Sequence, residues 1–144
     1  KVFYCKMGGD YYRHIAEFSH GSDKDKAVES AKKCYEDAMA VVTCDFPATH
    51  PTRLELALNF SVFHYEVLSN PEDACRMARQ ACGDASVECD NMSGEISKES
   101  VSMMQLLRDN LNLWTGEAGE YLGCSLHRVG AGDWLASLVL VAVL

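Results

Sequence analysis

At 144 residues the chain has the length of one domain with a substantial core. Its 13 basic and 21 acidic residues give a net charge of -8, which argues against nucleic acid or an anionic membrane as the main partner. Any anion site must then be a local basic cluster. Seven cysteines, an odd number with no CxxC pair, point to a reducing compartment and so to the cytoplasm. The chain opens on Lys1 without a leader pattern and reads as a fragment of a longer protein.

Apolar periodicity predicts five helices and no strand. The first runs from Lys1 to about Phe18 and stops near His20-Gly21. Ser22, with Asp25 three residues on, is expected to open the second, whose stripe is Ala27, Ala31, Cys34, Tyr35, Ala38 and Val42. Pro47 and Pro51 break the chain, and Pro51 suits the first turn of the third helix. Asn70 is the expected cap of the fourth, followed by Pro71, Glu72 and Asp73. The fifth runs from roughly Lys98 to Thr115 after the Ser93-Gly94 loop. Short links imply antiparallel neighbours, so the fold class is all-α, an antiparallel helical array.

Cys75, Cys82 and Cys89 recur every seven residues with Ala78 and Ala85 between them. That spacing puts the sulfurs roughly 10 Å apart along a helix, too far for one metal held at about 2.3 Å. Small buried side chains for close helix packing suffice, and no metal is expected. No H-E-x-x-H, Gly-rich phosphate loop or nucleophile motif is present, so neither an enzyme nor a cofactor is expected.

Two helix faces mix amides with apolar residues. Leu106, Asn110, Leu113 and Trp114 share one, at i, i+4, i+7 and i+8; Asn59, Val62 and Glu66 share another. An unpaired buried amide costs roughly 1–3 kcal/mol, so Asn110 needs a partner in the protein or on a ligand. On the first helix Lys6, Asp10 and Arg13 form one charged face. By spacing alone this is a solvated stripe with an ordinary lysine–aspartate pair.

Several long motifs carry a family resemblance. Leu56-Ala57-Leu58-Asn59-Phe60-Ser61-Val62-Phe63 and Met104-Gln105-Leu106-Leu107-Arg108-Asp109-Asn110-Leu111 are similar to signatures of the 14-3-3 proteins. So are Lys1-Val2-Phe3-Tyr4-Cys5-Lys6-Met7 and Gly9-Asp10-Tyr11-Tyr12-Arg13. The match is collinear from Lys1 to about Thr115. It implies the C-terminal five helices of a 14-3-3-like fold and an adaptor that binds phosphoserine or phosphothreonine peptides of client proteins without catalysis. By this resemblance Arg13 and Lys6 hold the phosphate, and Asn59 and Asn110 bond the ligand backbone. Leu58, Val62, Met103 and Leu106 line an apolar wall, with Glu66 and Trp114 at its rim. For the apolar members, plain core packing is the competing reading.

The departures are specific. His14 stands where the family has a phosphate-binding tyrosine, and its imidazole is expected to donate more strongly as pH falls. Ser102 replaces a leucine, Glu55 replaces a common glycine, and Ser97 to Val101 differ from the usual Tyr-Lys-Asp-Ser-Thr. The upstream helices that let whole family members form homo- and heterodimers are missing. They also supply further basic residues to the pocket, so weak binding and some exposed apolar surface are expected.

Residues 1–115 therefore read as a partial 14-3-3-like domain and 116–144 as a divergent, aggregation-prone tail. Its apolar run, Trp134 to Leu144, falls well short of the roughly 20 residues a bilayer needs. A membrane partner is therefore not expected. The alternative function is a phosphate-independent scaffold of tetratricopeptide type, against which stands the lack of a 34-residue repeat.

Overall fold

A computed structural model describes residues 2–91 and 95–116. It consists of α1 (Val2–Phe18), α2 (Gly21–Asp45), α3 (Pro51–Glu66), α4 (Pro71–Asn91) and α5 (Lys98–Thr115). No strand occurs among the described residues. Each helix packs on the next in the chain; α3 also touches α5 and, more lightly, α1, whereas α1 and α5 do not meet. This is the all-α array expected. The apolar tail and Cys124 lie outside the described residues.

The helix starts follow local chemistry. The His50 ring Nδ1 accepts from the Thr52 N–H at 3.2 Å ahead of Pro51, and Asn70 Oδ1 accepts from the Asp73 N–H at 3.1 Å. Ser97 Oγ accepts from the Ser100 N–H at 3.1 Å, and α5 ends on Gly116 at φ 72°. The start of α2 corrects the sequence reading. It opens at Gly21 after His20, whose side chain makes no capping bond, and Ser22 lies inside the first turn. Gly21 turns the chain at φ 59°, a conformation only glycine adopts freely, so the helix begins there without a side-chain cap.

Two apolar clusters hold the array. The first joins α2 and α3 through Ala31, Tyr35, Ala38, Val42, Leu56, Phe60 and Phe63. Tyr35 stacks on Phe60 with ring centroids 5.2 Å apart. Its ring also sets the approach of α1, because a Cβ on Gly9 would lie 2.8 Å from the ring carbons. The second cluster joins α3, α4 and α5 through Leu54, Leu58, Ala78, Cys82, Ala85, Met104 and Leu107, with Cys89 at its margin. The seven-residue cysteine spacing is thus a packing ridge.

The mixed amide-and-apolar face of α5 is not its core face. α5 turns Ser100, Met104 and Leu107 inward, leaving Leu106, Asn110 and Trp114 half-buried and Leu113 exposed. Leu106 and Leu107 are adjacent, and it is Leu107 that fits against the small residues of α4. Exposed apolar surface is present as expected: Phe3, Tyr4, Met7, Tyr11 and Phe18 of α1 face outward.

Gly9→Ala should destabilise the fold by about 1–3 kcal/mol through overpacking against Tyr35, read as a lower urea midpoint; an unchanged midpoint would mean α1 is free to shift. His64 is buried among Phe60, Phe63 and the nearby Asp73, Lys32, Arg76 and Glu36. Burial lowers its pKa below the usual value of about 6.5, with Lys32 and Arg76 adding to the shift and Asp73 and Glu36 opposing it. The unfolded chain then binds more protons than the folded one, so stability should fall as pH drops below about 6.5. A His64→Phe variant should show a shallower loss between pH 7.5 and 5.5 in urea titrations.

Candidate functional site

Asp10 is the hub of a polar cluster where three helices meet. Its Oδ1 accepts from the Tyr35 hydroxyl at 2.6 Å and from Asn59 Nδ2 at 3.3 Å, and its Oδ2 accepts from Lys6 Nζ at 3.1 Å. Lys6 also meets Glu55 Oε1 at 3.0 Å. Burial works to lower the Lys6 pKa, but the carboxylates of Glu55 and Asp10 outweigh it and hold the ammonium above its ordinary value. Burial and the Asp10 charge push the Tyr35 phenol far up, so it stays a neutral donor.

One turn further along α1, Arg13 is only 8% exposed. Its Nη1 donates to Glu17 Oε1 at 3.1 Å, and its Nε has no partner among the described residues. His14 is half-exposed and places Nδ1 at 3.3 Å from the other oxygen of Glu17. Burial raises the Glu66 pKa, with Arg13 opposing and Glu17 assisting. Lys6 and Arg13 therefore sit among four carboxylates, those of Asp10, Glu17, Glu55 and Glu66.

The other wall is α5. Trp114 stacks on Tyr65 of α3 at 4.7 Å and 12°. Met103, Leu106 and Trp114 pack against the second core cluster. Asn110 makes no hydrogen bond among the described residues and is half-buried. Positions 55, 59 and 66 of α3 turn toward α1, while 54, 58 and 65 lie one residue, or about 100°, round the helix toward α5. With α1 and α5 apart, α3 is the floor of a groove between them.

The residues singled out from sequence thus divide. Lys6, Arg13, Asn59 and Glu66 gather on the α1 side, with His14 outside them on Glu17; Met103, Leu106, Asn110 and Trp114 belong to the α5 side. Val62, 7% exposed, lies in the floor, and Leu58, 1% exposed, is a member of the second core cluster, so packing accounts for its apolar character. Arg13 is not the solvated residue that helical spacing alone suggests. Sequence reasoning missed Glu17 as the partner of Arg13, although its i+4 spacing is a usable signal. It also missed the pairing of Glu55 with Lys6 and of Tyr65 with Trp114, which join different helices. A cavity of about 170 Å³ between α2, α3 and α4, bordered by Met39, Arg53, Met77 and Asp84, contains none of these residues.

A five-helix array with a polar cluster on one groove wall and half-buried amides on α3 and α5 defines an α-helical class of protein, and similarity to known proteins narrows it. The family profile described as "14-3-3 protein" matches residues 1–115. Protein BMH2 of Saccharomyces cerevisiae is 52% identical over 120 residues, covering 83% of this chain and 44% of that protein. 14-3-3 protein 7 of Solanum lycopersicum is 55% identical over 119 residues, covering 83% and 47%. 14-3-3 protein epsilon of Drosophila melanogaster is 54% identical over 117 residues, covering 81% and 45%. The chain belongs to the 14-3-3 family. It spans less than half the length of these relatives.

Asp10→Ala should cost about 2–3 kcal/mol, because it leaves the buried Tyr35 hydroxyl without an acceptor. In chemical denaturation Tyr35→Phe should recover part of that loss in the Asp10→Ala background. Fully additive losses would show that the phenol does not depend on Asp10.

Proposed function

We propose that this chain carries the ligand groove of a phosphoserine/phosphothreonine-peptide adaptor, acting by recognition and not by catalysis. The observation that carries the reading is Arg13: a buried guanidinium with an unpartnered Nε, in a groove that also presents Asn59 and Asn110. A phosphoryl group brings about -1.5 to -2 charge and three acceptor oxygens, and a guanidinium offers a planar fork of donors. On this reading the phosphate displaces Glu17 from Arg13 and draws on Lys6. The two asparagines, on α3 and α5, then bond the backbone of an extended peptide, and Val62, Met103 and Leu106 pack on its side chains. His14 adds a donor from the rim once it leaves Glu17.

The partners are then phosphorylated client proteins. In a whole family member two such grooves brought together by dimerisation would raise avidity toward doubly phosphorylated clients. Residues 1–115 form the recognition unit and 116–144 an appended tail, in a cytoplasmic setting. No helix among the described residues is long and apolar enough to cross a membrane.

A phosphate-independent scaffold is the second reading, favoured by one observation: Lys6 and Arg13 already hold carboxylates at 3.0 to 3.1 Å. Fluorescence anisotropy of a labelled phosphoserine peptide and its unphosphorylated twin separates the two. The phosphorylated peptide should bind more tightly, and Arg13→Ala should weaken it by roughly ten- to a hundredfold, the worth of a charge-assisted bond. Equal binding of both peptides by a folded sample would favour the scaffold.

A further inference from the structure

The geometry points to Glu55 as the residue that limits the affinity of this groove for phosphate, and we propose that it does so by competing with the ligand for Lys6. The inference rests on the phosphopeptide reading above. The cluster's carboxylates are not equivalent. Asp10 is fixed by the Tyr35 hydroxyl and the Asn59 amide as well as by Lys6, so it cannot withdraw without unpairing a buried phenol. Glu17 serves Arg13 and His14 on α1 itself. Glu55 has one ion pair among the described residues, to Lys6 at 3.0 Å, and its side chain is 38% exposed against 23% for Asp10. Of the two carboxylates paired with Lys6, it is the one with less to hold it and the clearer path to solvent.

An ammonium has three donors. Two on Lys6 are directed at Asp10 and Glu55, and the one given to Glu55 lies toward α3 and solvent. A phosphoryl group reaching Lys6 must either take the place of the Glu55 carboxylate or approach beside it against like-charge repulsion. Either route reduces the attraction that Lys6 offers. Sequence spacing gave no warning of this, because Lys6 and Glu55 lie on different helices.

The test is anisotropy titration of the full chain with the phosphoserine peptide and its unphosphorylated twin, for wild type, Glu55→Gln, Lys6→Met and the double variant. Urea midpoints confirm that each is folded. Glu55→Gln keeps the side chain's size and removes its charge. It should tighten phosphopeptide binding by about tenfold, the scale of one unit charge at a partly exposed site. The unphosphorylated peptide should be unaffected, and the gain should vanish in the Lys6→Met background. Glu55→Gly should give the same direction of change. Binding that appears only after Glu55→Gln also supports the proposal.

If wild type and Glu55→Gln prefer the phosphorylated peptide equally, the brake does not exist while the phosphopeptide function stands. A gain that persists without Lys6 overturns the competition mechanism. If none of the folded variants distinguishes the two peptides, both the brake and the function beneath it are overturned.

Discussion

The carboxylate of Asp10 ties three helices at a shared point by directional bonds. Tyr35 on α2 has its ring closed between Gly9, Phe60 and Phe63, so its hydroxyl must find an acceptor inside the protein. That acceptor stands one residue from the glycine that lets the ring approach. The same oxygen takes the Asn59 amide of α3, and the second oxygen holds Lys6. Apolar burial is non-directional and tolerates sliding, whereas a satisfied buried polar network does not. The orientation of Asn59 and Lys6 in the groove is therefore tied to the packing of α1 on α2.

Electrostatics in the groove are those of compensation. An acidic chain has few basic residues to spare, and the two at this site each have a carboxylate within 3.1 Å. Arg13 is held in a nearly buried position by Glu17 yet leaves one N–H without an acceptor. Burial shifts Glu66 toward its protonated form, while the Arg13 charge nearby acts the other way. Each basic group is thus already compensated, and on the proposed reading an anionic ligand would enter by exchanging one partner for another.

Much of the fold was legible because it follows local rules. Pro51 and Asn70 mark helix starts by chemistry that acts within three residues, and the Ala27-to-Val42 stripe buries the side it should. The start of α2 was misread since Gly21 obeys backbone geometry and not a capping side chain. On α5 the sequence offered two adjacent leucines, and only the small residues of α4 decide that Leu107 goes inward. In the candidate site, residues on one helix were readable, as with Lys6 and Asp10. The contacts that give the site its character join residues 25 and 49 positions apart, Tyr35 and Asn59 to Asp10, and helical spacing carries no record of those. The resemblance to a family pointed to the residues; it did not foretell that Glu55 would sit on Lys6.

The stack of Trp114 on Tyr65 also makes the groove optically addressable. Two rings nearly parallel at 4.7 Å couple one helix of the wall to the helix of the floor. A change in the spacing of α5 and α3 alters the quenching of the indole and its energy transfer from the phenol. Trp134 is the only other tryptophan in the sequence, so a chain carrying Trp134→Phe would report the width of the groove through its intrinsic emission, with no attached dye.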